Sequence, residues 1–138
     1  AGKRFSLRTP PWSAVTATLA ETFGAEVCTD FTTMIEVLDG LEVPAVNEID
    51  SALLVAAGHE LLLYDLSQWA EDIQFCSKAT FSRAKSDFED LGIVTVEKAP
   101  TEIGRPRQRL TLAEEYATLS GPELLREVNA VKSDRGSR

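Results

Sequence analysis

The stretch Ser77–Gly92, SKATFSRAKSDFEDLG, places Lys78, Arg83 and Lys85 in its first half and Asp87, Glu89 and Asp90 in its second. A helix built only for solubility mixes its signs, and this one is polarised. Ser77 is a good N-cap, and Gly92 suits the left-handed position that follows a helix. Phe81, Ala84, Phe88 and Leu91 step by 3, 4 and 3, so the spacing predicts a helix over 77–91 with those four facing a core. At about 100° per residue, Ala79, Ser82, Arg83 and Ser86 fall on the opposite face, flanked by Lys78 and Lys85. The outward face of the first half therefore carries small residues, hydroxyls and cations.

Downstream, Ile93–Val96 is β-rich and Leu110–Leu112 ends a second extended run. Between them lies EKAPTEIGRPRQR, where Gly104 permits a tight turn and Pro106 stiffens the return. Arg105, Arg107 and Arg109 alternate, so in an extended strand they point one way. That is an antiparallel hairpin with a cationic tip and edge. Upstream, Ser67–Ile73 reads as a short helix with Trp69, Ala70 and Ile73 inward, and Gln74–Cys76 as a three-residue turn. Leu61–Tyr64, apolar and set between Gly58 and Asp65, could extend the helix before it or form a short strand, and the strand is favoured. Helix, turn, helix and basic hairpin is the order of a winged helix-turn-helix.

This layout suits major-groove entry by the first half of helix 77–91. Small residues let the backbone approach, Arg83 can contact guanine through two hydrogen bonds, and Ser or Thr can reach base edges or phosphate. The helix N-terminus adds partial positive charge toward phosphate. The hairpin arginines would lie on phosphates or in the minor groove. Blander readings compete with each of these. Lys78 and Lys85 taken alone suit a solvated surface, capping accounts for Ser77 and leaves Thr80 ambiguous, and the arginines suit an ordinary solvated hairpin. The combination in this order favours the nucleic-acid reading. Phe81, Phe88 and Trp69 are core rather than stacking platforms.

The net charge of -8 hides an uneven distribution. Residues 9–77 hold twelve acids and no lysine or arginine, so they carry -12, whereas residues 78–109 hold seven bases against five acids. The local field near the basic region decides what binds there. Only five of the fourteen bases are lysine, and an acidic, lysine-poor chain suits a salt-rich interior. With 43% hydrophobic residues in 138, the chain can bury a core. It has no run of eighteen apolar residues and so no transmembrane helix. AGKRFSLRTPPW has no apolar stretch typical of a secretory signal and looks like a trimmed start, so a longer parent chain is expected. Cys28 and Cys76 form no CxxC and read as small, buried, reduced thiols. The lone His59 has no partner at metal-ligand spacing. No GxSxG, HExxH, GxGxxG or Walker pattern occurs, and the adjacent pairs Glu71-Asp72 and Glu114-Glu115 diverge on a helix, so catalysis is not expected. Neither is a cofactor or a metal.

Two helices precede this region. Thr9-Pro10-Pro11 reads as a helix start, with Trp12, Val15, Leu19 and Phe23 at helical spacing to Gly24. Val27, Phe31, Met34 and Leu38 define a second helix, about 26–39, ended by Gly40. GLEVPAVN is a loop, and Asn47 can cap a third helix, about 48–58. After the hairpin, Gly121-Pro122-Glu123 opens a C-terminal helix with Leu124, Leu125, Val128 and Val131 apolar, and SDRGSR reads as a disordered tail. The division is an N-terminal helical extension (1–46), a winged helix-turn-helix (47–113), and a C-terminal helix with its tail (114–138).

The motifs LLYD, W-x-ED, SKATFSR and GRPR-x-RL within residues 61–112 resemble the winged-helix region of the TbsP-like haloarchaeal transcriptional regulators. RTPPWSAVTATLAETFG and DFTTMIEVLDG resemble the helical segment before it, so the likeness covers about residues 6–112. SxxTxSR occurs in many winged helices, and the run through GRPRQRL is more specific. The resemblance implies a DNA-binding regulator, with a further N-terminal region in family members. It assigns DNA contact to Lys78, Thr80, Ser82, Arg83, Arg105, Arg107 and Arg109. Phe75 and Cys76 depart from the small or aliphatic residues expected at the turn.

The sequence thus predicts a mainly α chain with a small antiparallel hairpin, an α+β winged helix with an N-terminal helical extension. The expected function is sequence-specific binding of double-stranded DNA in transcriptional regulation, at the chromosome in the cytoplasm. The candidate contacts are Ser77, Lys78, Ala79, Thr80, Ser82, Arg83, Lys85, Ser86, Arg105, Arg107 and Arg109. In high salt, counterion release gives little binding, so a homodimer across two half-sites is expected. Its surface would be the first helix (Trp12, Val15, Leu19) or the last, unless these pack on their own domain. The rival reading is a winged helix used for protein contact, with no DNA readout. A small-molecule effector would act through the missing N-terminal region.

Overall fold

The computed structural model describes residues 12–99 and 107–136, with side chains for 14–98 and 108–134. The expected helix start at Thr9-Pro10-Pro11, the turn at Gly104 and Pro106, Arg105, and the side chains of Trp12 and Arg107 lie outside the described residues. The helices are α1 (Trp12–Phe23), α2 (Ala25–Gly40), α3 (Glu48–Gly58), α4 (Leu63–Asp72) and α5 (Lys78–Asp90). The hairpin β1 (Val94–Ala99) and β2 (Arg107–Leu112) follows, then α6 (Glu114–Ala117) and α7 (Gly121–Gly136). Helix-turn-helix (α4–α5) followed by an antiparallel hairpin is a winged helix.

Local chemistry sets most boundaries. Asn47 caps α3 through a capping box: its side chain accepts from the Asp50 amide at 2.9 Å, and the Asp50 carboxylate accepts from the Asn47 amide at 3.2 Å. This satisfies two of the helix's free donors. The helices α3, α4 and α5 all end in the same way. Each has a residue of positive φ after its C-cap: Glu60 at 56°, Gln74 at 62° and Gly92 at 75°. In each the next amide bonds five residues back: Leu61 to Ala56, Phe75 to Ala70 and Ile93 to Phe88. These are Schellman closures, which satisfy terminal carbonyls and turn an apolar residue inward. Leu61, Phe75 and Ile93 all pack on the core.

The expected strand at Leu61–Tyr64 is corrected. Only its first half is extended: the Leu110 amide donates to the Leu61 carbonyl at 2.9 Å, and Leu62 bridges Arg109. Leu63 and Tyr64 already belong to α4, which starts four residues before the predicted Ser67 because Leu66 must face the core with Trp69 and Ala70. Glu114-Glu115 do lie on a helix, the short α6, whose bounds and separation from α7 the sequence reading did not give. The expected tail also differs, since α7 continues through Ser133–Gly136.

One buried cluster joins the N-terminal helices, the winged helix and α7. Val15 and Leu19 of α1 are buried, as are Leu124, Leu125 and Val128 of α7. Of the apolar residues considered for a dimer surface, these five are therefore occupied within their own chain, and Val131 is half-buried. Polar links fix α7 in place. The Ala45 amide donates to Asn129 Oδ1 at 2.6 Å, and Lys132 Nζ donates to Asp50 Oδ2 at 2.9 Å.

Candidate nucleic-acid interface

Helix α5 is anchored on one face and open on the other. Phe81 and Phe88 are fully buried, with Ala84 and Leu91 packed beside them. Phe75, in the helix-turn-helix turn, is the centre of a ring cluster. Its centroid lies 5.5 Å from that of Trp69 and 6.5 Å from those of Phe31 and Phe81. Such tilted and edge contacts favour aromatic pairs beyond their buried area. Trp69 in turn meets Phe23 at 6.1 Å and donates from Nε1 to Thr18 Oγ1 at 3.1 Å. The aromatic departure at position 75 thus ties α5 to α4 and, through Trp69 and Phe31, to the N-terminal helices. Cys76, beside it, is a half-buried free thiol, and burial pushes its pKa up to about 11.

The outward face carries Ala79, Ser82, Arg83 and Ser86, all exposed as the periodicity predicts. Ser77 is the N-cap: its Oγ accepts from the Thr80 amide at 3.2 Å, and the two hydroxyls lie 2.9 Å apart. Ser77 and Thr80 are therefore engaged in capping. The cations divide into two kinds. Lys78 Nζ donates to Gln68 Oε1 at 3.0 Å, lies 3.7 Å from Glu71 Oε1, and stands 5.5 Å from the Tyr64 ring centroid. Lys85 pairs with Glu89 one turn on at 3.1 Å, with its side chain only 13% exposed. Arg83 is exposed and has no hydrogen bond or ion pair with another described residue.

In the wing, Val94 and Val96 lie opposite Leu112 and Leu110 on the core side. Arg109 and Thr111 share the other side, with Arg109 directly opposite Glu97. Arg109 is half-buried and flanked on its second edge by Leu62. It sits at the base of the wing, while Arg107 lies toward the tip. Lys98, exposed on β1 opposite Gln108, is a wing cation the sequence reasoning passed over. It also missed Tyr64, Gln68 and Glu71, which hold Lys78. The step from Gln68 to Lys78 crosses a turn, so no helical spacing signals it.

His59 is engaged elsewhere. Its Nε2 lies 2.6 Å from Asp30 Oδ2 and joins the end of α3 to α2. Among the described residues no cluster of His, Cys, Asp or Glu is arranged to hold a metal, and no helix is long and apolar enough to cross a membrane. The sequence model of one protein family, described as Transcriptional regulator TbsP-like, C-terminal HTH domain, matches residues 11–129. A search of curated proteins finds no match.

Proposed function

Because the chain belongs to the family of TbsP-like transcriptional regulator C-terminal HTH domains, a DNA-binding family, we propose that it reads a specific double-stranded site with α5 in the major groove. The observation that carries this is the open face of α5. Arg83 pairs with no other described residue and stands among Ala79, Ser82 and Ser86, on a helix whose other face is locked by Phe81 and Phe88. An arginine there fits the O6/N7 edge of guanine. Lys78 and Lys85 sit where the backbone phosphates would pass, and Ser77 and Thr80 bring the helix N-terminus and its amides toward them. Arg105, Arg107 and Arg109 are assigned to phosphate or minor-groove contact from the wing.

We further propose a homodimer on two half-sites, in the cytoplasm of a salt-adapted archaeon, with no catalytic role. Acidic, lysine-poor composition and the family resemblance support the host. One unpaired arginine per helix supplies few base contacts, so two helices on a palindrome would give the affinity that salt denies to phosphate contacts. The surface that joins the copies must lie outside the buried apolar residues of α1 and α7.

The test is selection of genomic DNA fragments by the purified chain, sequenced after capture at low and at high salt. The expected result is a palindromic site that survives high salt. Arg83→Ala should weaken it by about 1–3 kcal/mol and relax one position in each half-site. Binding with no preferred site, or none at all, would refute base readout and favour a protein-contact role.

A further inference from the structure

We propose that Glu71 and Glu89 set the salt dependence of DNA binding, by holding the two interface lysines in internal ion pairs that phosphate must displace. The inference rests on the reading that α5 docks on DNA. Lys78 is held by Glu71, Gln68 and the face of Tyr64, and Lys85 by Glu89. A free cation that meets a phosphate releases a condensed counterion, and the affinity then falls with a log slope of about 0.9 per contact. A paired lysine behaves differently. As it turns to phosphate, its carboxylate is left bare and takes up a cation from solution. Uptake offsets release, so the contact adds little to the slope.

Arg83 has no such partner among the described residues. The lysines thus contribute position and shape, Arg83 is assigned to a base edge, and the slope counts mainly the wing arginines. Rising salt also loosens the internal pairs, so each lysine becomes easier to recruit as its phosphate contact weakens. The two changes oppose each other. Binding is therefore buffered against salt without any additional cation.

The experiment measures affinity for the selected site, or for a mixed-sequence duplex of about 30 base pairs, between 0.1 and 1 M KCl. The variant is Glu71→Gln with Glu89→Gln. Both acids are exposed, at 52% and 38%, so folding is expected to persist, and a thermal melt checks it. The control is Glu36→Gln with Glu42→Gln, which makes the same change in net charge on α2 and the loop after it. The double variant should bind more tightly at low salt, with a slope steeper by up to about 1.8. The affinities should converge near 1 M, which bounds the gain at 0.1 M to about 60-fold. Lys78→Gln with Lys85→Gln should change the wild-type slope little, and should remove the added slope in the Glu→Gln background. Slopes parallel to wild type, or an equal shift in the control, would overturn the inference while leaving DNA binding intact. Failure of the wild-type chain to bind at any salt would reject the α5 reading itself, and the inference with it.

Discussion

Replacing Lys132 with methionine removes the cation that balances Asp50 and leaves the carboxylate in place. The Asp50 side chain is 3% exposed, that of Lys132 21%, and the two are 2.9 Å apart. Breaking a buried pair from one side costs roughly 3–5 kcal/mol, because a charge is left uncompensated. Two features lower that figure here. Lys132 is partly wetted, and Asp50 keeps the Asn47 amide at 3.2 Å. Lys132 Nζ also lies 5.4 Å from the Phe88 ring centroid, a contact worth about 0.5–1 kcal/mol, and methionine retains its apolar part. The net expectation is a loss of about 2–3 kcal/mol. For a chain of this size that lowers Tm by roughly 6–15 °C. Asp50→Asn keeps an oxygen for the Asn47 amide, so the double variant should cost less than the sum of the singles by at least about 1.5 kcal/mol. Urea unfolding measures this through the midpoint, with the slope m unchanged if the native and denatured states keep their compactness. A Lys132→Met cost below about 0.5 kcal/mol, or strict additivity, would refute the view that this pair anchors α7.

Two further tests concern the helix-turn-helix. Glu60 and Gln74 occupy left-handed positions, where a side chain costs about 1–2 kcal/mol and glycine regains it less about 0.5–1 kcal/mol of chain entropy. Glu60→Gly and Gln74→Gly should each therefore stabilise by up to about 1 kcal/mol in thermal melts, whereas Gly92→Ala, at the third such position, should destabilise. Burial raises the Cys76 pKa from 9.0 to about 11, so the native state disfavours the thiolate. Stability from this source is complete below pH 9 and is lost as pH rises through 9 toward 11. Cys76→Ala should flatten that part of the pH–stability curve, and at pH 8 the folded thiol should alkylate more slowly than the unfolded one.

What the sequence made legible was local. The caps Asn47, Ser77 and Gly92 and the period Phe81-Ala84-Phe88-Leu91 are read within one or two turns of chain, and the structure has them as read. The division of Leu61–Tyr64 between a bridge and a helix depends on β2, nearly fifty residues on, which offers its edge to Leu61 and Leu62 alone. The length of α7 depends on a contact between positions 50 and 132. The basic half of Ser77–Gly92 was legible as composition, but its pairing was legible only in part. Lys85 and Glu89 stand at the i,i+4 spacing that signals a pair, whereas Lys78 finds Glu71 across a turn that Phe75 folds back onto Trp69.

The acidic body and the DNA reading are reconciled by distance rather than by total charge. Part of the twelve-acid stretch is already engaged internally: Asp50 by Lys132, Glu71 by Lys78, and Asp30 by His59. The remaining carboxylates repel DNA at long range, and that repulsion fades once the screening length falls to about 3 Å near 1 M salt. Salt thus removes an unfavourable term along with the favourable phosphate term. What survives must act at contact distance and depend on direction. Hydrogen bonds from a guanidinium to a base edge meet both conditions. On α5 the cation that can form them without first leaving another described residue is Arg83. Specificity should therefore rise relative to non-specific binding as salt increases, and Arg83→Ala should do more harm at 1 M than at 0.1 M. A loss that shrinks with salt would place Arg83 on phosphate and remove base readout from the outward face of α5.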